Sequence, residues 1–419
     1  MSFKTDKQFA VESDSTDQLG PYRNRFFIPK TQAGKEAIYL CGNSLGLQPK
    51  TASAYVQQEL EDWARLGVEG HFHAKNPWMP YHELLTEQTA RLVGALPSEV
   101  VVMNTLTVNL HLMMVSFYRP TILRHKIIIE QQAFPSDQYA VKSQIKFHGF
   151  DPERSLVELS PRPGETTLRI EDIEEMLEIE GEATALILLG GVNYYTGQVF
   201  DMERITKSAQ TKGCIVAFDL AHAAGNIPLH LHDWGVDFAV WCSYKYLNAG
   251  PGSTAGCFVH ERHARSFDLP RFSGWWGHNK STRFQMLAEF DPIPGAESWQ
   301  LSNPSILPLA ALRSSMEIFD EAGMTMLRAK SEKLTGYLEF LLRALPGVSI
   351  LTPSDQSQRG CQLSLQIGQK GRVVFESLTR QGVICDWREP DVIRVAPVPL
   401  YNTFSDVFEF VKILGKEME

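Results

Sequence analysis

The chain has 419 residues, 43% of them hydrophobic and 21% charged, and a formal net charge of −9. That length allows two or three domains, or one large α/β unit with an appendage, and the composition is that of an ordinary globular protein. The acidic balance argues against nucleic acid or an anionic membrane as a general partner, although a local phosphate site needs only a few donors.

The first residues, MSFKTDKQFAVESDSTDQ, are polar and lack the apolar segment of a signal peptide. No run of about 18 apolar residues occurs anywhere, so no membrane span is expected. The six cysteines (41, 214, 242, 257, 361, 385) have no Cys-x-x-Cys spacing, and several sit in apolar runs. They read as reduced, mostly buried thiols of a cytoplasmic protein.

In chain order, the first long helix is expected at 52–66. Short apolar runs follow at 125–130 (HKIIIE), 183–189 (ATALILL), 214–218 (CIVAF) and 237–242, each of buried-strand length. Helical patterns at 172–178 and 202–212 separate them. This alternation predicts an α/β fold: a mostly parallel sheet covered by helices. After Asn303-Pro304, long helices are expected at 307–322 and 325–345. Alternating strands at 362–366 and 392–395 and helical stretches at 373–381 and 403–414 then make a smaller α+β C-terminal domain. Residues 46–304 are expected to form the large domain. Residues 305–419 form the small one, joined by 1–45, which contain no strand of the main sheet's type.

Chemistry in such sheets gathers at the carboxyl ends of strands. Asp219 ends one apolar run, and Lys245, in Ser243-Tyr244-Lys245-Tyr246, directly follows another. A lysine there is costly to desolvate as a cation and easy to keep as a free amine, which imine formation with an aldehyde cofactor requires. An aspartate at the neighbouring strand end can hold a pyridinium nitrogen protonated. Singly, each reads as structural, as a cap or a solvated amine; jointly they read as a pyridoxal 5'-phosphate site.

Several weaker signals surround this pair. Tyr244 either packs on the sheet or serves a phosphate or a proton transfer. The segment 104–111 (NTLTVNLH) reads as a helix start, suited to a phosphate or simply N-capped by threonine. Phe134 and Asp137, in FPSD, offer an aromatic face and a second carboxylate, or an ordinary turn. Arg394 is alone in an apolar strand and needs a carboxylate, either internal or that of an amino-acid substrate. His230-Leu231-His232 has metal-like spacing without a third ligand, and a surface strand or loop is the expected reading.

With these residues in view, the chain resembles the kynureninases. NTLTVNLH, FPSD, YYTGQ, DLAHAAGN, CSYKYLNAGPG, GWWGH, STRFQM, SNPSILPLAAL and IRVAPVPLYN occur in that family's order and spacing, from about Leu40 to Asn402. The resemblance implies a homodimeric fold-type I pyridoxal-phosphate enzyme, similar in architecture to aspartate aminotransferase. It also implies hydrolysis of L-kynurenine or 3-hydroxykynurenine to anthranilate or 3-hydroxyanthranilate and L-alanine, in tryptophan catabolism or NAD biosynthesis.

Residue by residue, the resemblance makes Lys245 the Schiff-base lysine, Asp219 the partner of the pyridinium nitrogen and Phe134 the stacking ring, with Asp137 and His222 nearby. Leu106, Thr107, Tyr244 and the neighbouring subunit's Trp275 would hold the phosphate, with Asn303 also touching the cofactor. Arg394 would receive the substrate carboxylate, and Tyr244 would move protons. His71, Ser302 and Asn303 would surround the aryl end, a set that matches relatives preferring 3-hydroxykynurenine. Gly190-Gly191-Val192 departs from the Ser-Gly-Val found in some members, and Trp276 from a Phe. The competing readings are a cysteine desulfurase, an aminotransferase or a silent relative kept as a scaffold.

Overall fold

The computed structural model describes residues 3–418. Its main sheet has seven strands, in the order Val100–Val102, Gly256–Val259, Phe238–Trp241, Ile215–Asp219, Thr184–Gly190, Lys126–Glu130, Leu156–Leu159. The last five run parallel, and Gly256–Val259 is antiparallel to both of its neighbours. Side chains alternate between the two faces of a strand. Thus Ile128, Ile187, Val216 and Phe218 enter one apolar core, whereas Ile127, Ile129, Leu186 and Ala217 enter the other. Because helices cover both faces, these strands read as continuous apolar runs rather than as an alternation.

A second sheet of four antiparallel strands has the order Asp386–Arg388, Val392–Val395, Leu363–Gln366, Ser349–Ile350. Helices Met324–Leu342 and Phe404–Met418 share a third core with it, through Leu338, Leu363, Ile393 and Phe410. The N-terminal segment joins this core with Phe9, Ala10 and Leu40. Its Ile38–Tyr39 strand pairs in parallel with Val383–Ile384. The structure adds a helix at Lys7–Ser15, which packs on Phe404–Met418 and was not apparent in the sequence.

The expected surface strand or loop at His230-Leu231-His232 is instead the start of a short helix, Leu231–Trp234. His232 donates to the buried carboxylate of Glu99, which also accepts from the backbone N–H groups of Leu96 and Glu261. Those bonds make Glu99 a structural hub. No helix among the described residues is long and apolar enough to cross a membrane.

Candidate active site

Three adjacent parallel strands end in Glu130, Gly190 and Asp219, and Lys245 follows the end of the next, Phe238–Trp241. Their carboxyl ends open into one cleft, whose lining includes Leu106, Thr107, Phe134, Asp137, Asp219, His222, Tyr244 and Lys245. Lys245 Nζ lies 3.0 Å from His222 Nε2, 5.8 Å from the centre of the Phe134 ring and 5.9 Å from that of Tyr244. A glycine is required beneath it. A Cβ on Gly46 would fall 2.3 Å from the Lys245 carbonyl oxygen, and Gly46 N–H already donates to Tyr244 O at 2.8 Å.

Asp219 accepts from Ala221 N–H at 2.8 Å and shares a hydrogen bond with Asp137. Burial, followed by the Asp219 charge, pushes the Asp137 carboxyl well above its usual range. Burial also raises the Asp219 carboxyl, but the Lys245 charge, the Ala221 N–H and the Asp137 hydrogen bond pull it back, so within the pair the proton sits on Asp137. His222 is held neutral, first by burial and then by the positive charges of Lys245, Arg394 and Arg388. Two buried polar atoms here, Asp137 Oδ1 and His222 Nδ1, lack a protein partner. Native interiors rarely leave such atoms unmatched, so they mark where a bound group belongs.

The helix Leu106–Phe117 begins at the same cleft, and no side chain caps its first turn. Its free N–H groups, with the Thr107 and Ser136 hydroxyls 2.9 Å apart, make an anion-binding end. The cleft thus offers an anion cradle, an aromatic face at Phe134, a carboxylate at Asp219 and an amine at Lys245. A flat aromatic aldehyde with a basic ring nitrogen and a phosphate would satisfy each of them.

Arg394 is 1% exposed. Its Nε and Nη2 both lie 2.8 Å from Asp386 Oδ1, and Nη1 donates to Tyr194 O at 2.7 Å. The internal partner weighed from the sequence therefore exists. A guanidinium has five N–H donors, and these contacts occupy three, leaving one hydrogen on each terminal nitrogen. His71, Trp275, Ser302 and Asn303 do not line this cleft in their own chain. Trp275 is 40% exposed and donates to Arg283 O, and Ser302 and Asn303 are exposed.

Sequence reasoning gave no role to Glu130, Asn193 or Tyr194. The signal for Glu130 was present, as a carboxylate closing an apolar strand in the same way as Asp219. A larger surface groove lies along Arg169, Arg204 and Arg328. Its arginines are paired with Glu165, Glu174 and Glu332, so it leaves no comparable chemistry exposed.

The family model described as "Kynureninase C-terminal domain" matches residues 327–414. The chain is 64% identical to the kynureninase of Koribacter versatilis, covering 98% of this chain and 97% of that one. It is 63% identical to the kynureninase of Myxococcus xanthus, with the same two coverages. In fold it is similar to a cysteine desulfurase from Thermococcus onnurineus, with a TM-score of 0.77 at 16% identity, over 93% of this chain and 98% of the other.

Proposed function

The chain belongs to the kynureninase family, and on that premise we propose how its residues divide the work and which substrate it prefers. It is a pyridoxal-phosphate enzyme that hydrolyses kynurenine. When bound, the cofactor supplies an electrophilic aldehyde and a ring that takes up negative charge from the substrate's α-carbon.

The protein's own residues do the rest. The Leu106–Thr107 helix start, with Tyr244, would hold the phosphate, and Phe134 would cover one ring face. Asp219, paired with protonated Asp137, would hold the ring nitrogen's proton. Lys245 Nζ is the amine that would join the cofactor's aldehyde, and as a free amine it would move the α-proton, with neutral His222 3.0 Å away to receive or return it. Arg394 presents its two remaining N–H groups to the substrate carboxylate, orienting the reacting bond. Tyr244 O–H moves a proton at the carbonyl end. The observation that carries this reading is the joint placement of Lys245, His222, Asp219 and Asp137 in one cleft of a chain 64% identical to a kynureninase.

Residues 46–304 are assigned to the large, cofactor-binding domain, and 1–45 with 305–419 to the small one. The active form is a homodimer with shared sites. An apolar groove lined by Phe27, Leu45, Val56, Leu60 and Pro251 runs beside the Lys245 loop, and a second copy would cover it. The neighbouring copy's Trp275 would then complete the phosphate site, and His71, Ser302 and Asn303 the aryl pocket. These three polar side chains favour 3-hydroxykynurenine, because a site built to bond a hydroxyl penalises the analogue without one. The product would feed tryptophan breakdown or NAD synthesis in the cytoplasm.

A desulfurase needs a nucleophilic cysteine on an exposed loop. All six cysteines are free, but five are buried and Cys41 is half-buried. Incubating purified protein with each kynurenine and following the fluorescent aromatic acids tests the reading. Release of anthranilate or 3-hydroxyanthranilate with equimolar alanine is expected; conversion of the cofactor to its amine form would instead indicate a transaminase.

A further inference from the structure

Glu130 is buried in the lining of the cleft, at the end of its strand, yet the chemistry above does not use it. One carboxylate oxygen accepts from Gly190 N–H at 2.6 Å, and the other from Asn193 Nδ2 at 2.5 Å. Asn193 cannot reverse its amide, because its Oδ1 already accepts from Tyr195 N–H, Thr196 N–H and the Thr196 hydroxyl. Both groups facing Glu130 are therefore donors, and only an ionised carboxylate can accept from both without presenting a proton to one of them.

The turn held in this way carries Tyr194. The Tyr194 carbonyl accepts from Arg394 Nη1 at 2.7 Å and from Gln362 Nε2 at 3.1 Å. Its ring meets Phe134 edge-on, with centroids 5.2 Å apart. We propose that Glu130 is a positioning residue for the substrate-carboxylate end of the site. By fixing Gly190 and Asn193, it sets the turn whose Tyr194 carbonyl aims Arg394. This rests on the assignment of Arg394 to the substrate carboxylate.

The brace is sensitive to pH. Burial first, and then the Asp219 charge, raise the Glu130 carboxyl to about 7, against the pull of the Asn193 and Gly190 bonds. Asp137 and the Tyr194 phenol also face it, and both feel its charge. Below about pH 7 the carboxyl gains a proton and loses one of its two bonds. Because this value is raised above that of the unfolded chain, Glu130's contribution to stability is complete at low pH and declines as pH rises towards 7.

The test compares wild type, Glu130→Gln and the double variant Glu130→Gln/Asn193→Asp in L-kynurenine turnover between about pH 6 and 8.5, with apoprotein melting over the same range. Glu130→Gln sets an amide donor against a donor. It should raise KM about tenfold and lower kcat by a smaller factor, about threefold, because a misaimed Arg394 holds the carboxylate weakly and orients the reacting bond less well. The double variant restores both bonds with the charge moved to residue 193, where three further donors hold a carboxylate ionised. Its KM should return to within about threefold of wild type, and the acid rise in KM should shift below the wild-type position. Wild-type apoprotein should also lose stability relative to Glu130→Gln as pH rises towards 7. An unchanged KM in Glu130→Gln, a double variant no better than the single one, or a pH-independent melting difference would overturn the proposal. Absence of turnover in wild type would instead count against the proposed function, leaving the melting comparison to judge the brace.

Discussion

Lys245 Nζ lies 3.0 Å from His222 Nε2, and a neutral imidazole at that distance gives the lysine a proton partner that carries no competing charge. The arrangement is inherited from the sheet. Asp219 ends one strand, His222 follows three residues later, and Lys245 enters from the next strand end.

His222 makes the fold acid-sensitive. Its pKa is depressed by burial and by the neighbouring cations, so its contribution to stability is present above the unfolded value of 6.5 and is lost as pH falls below it. Apoprotein melting should fall more steeply between pH 7.5 and roughly 5.5 in wild type than in His222→Gln. Parallel curves would show that His222 is not buried as a neutral ring.

Asp219→Asn should leave the fold intact and lower kcat by about a thousandfold, equivalent to roughly 4 kcal/mol of lost transition-state stabilisation. Steady-state rates on L-kynurenine measure this directly. Activity near wild type would transfer the role to Asp137.

Arg394 faces Asp386 across two antiparallel strands. Arg394→Ala leaves half-buried Asp386 with Arg388 as its remaining partner, 3.0 Å away, and should cost about 1.5–3 kcal/mol of stability, seen in denaturant unfolding. Arg394→Lys keeps the charge but loses the planar fork, so the fold should survive while KM rises and kcat falls. Unchanged kinetics in the lysine variant would leave Arg394 with a purely structural role.

His71→Trp combined with Asn303→Thr should replace polar surface at the aryl end with apolar surface and shift preference towards plain kynurenine. The quantity to compare is the ratio of kcat/KM for the two substrates before and after, with a change of about tenfold expected. A wild type that already favours kynurenine would refute the assigned preference.

The parallel strands at the centre of the sheet were legible because, buried on both faces, they read as unbroken apolar runs closed by a polar residue. Val100–Val102, Leu156–Leu159 and Gly256–Val259 were not. Val100–Val102 has only three residues, Leu156–Leu159 is a partly exposed edge strand carrying Glu158, and Gly256–Val259 opens on a glycine, so none stands out as a buried parallel strand. The cleft residues Asp219 and Lys245 announced themselves by ending or following such runs. The Arg394–Asp386 pair did not, because cross-strand partners eight residues apart depend on register. Glu130 was overlooked for another reason: its partners, Gly190 N–H and Asn193, lie about 60 residues away, and nothing local marks a carboxylate as braced. His230 and His232 illustrate the converse. Without a third ligand in sight their spacing read as surface strand or loop, whereas the chain starts a short helix there and packing makes His232 a donor to buried Glu99.

The central claim is that Lys245 is the lysine joined to the cofactor in this cleft. Borohydride reduction of the holoenzyme followed by peptide mass mapping tests it most directly. The pyridoxyl mass should sit on the peptide containing Ser243-Tyr244-Lys245-Tyr246, and Lys245→Ala should show neither that adduct nor steady turnover. An adduct at any other lysine, or an active Lys245→Ala enzyme, would contradict it.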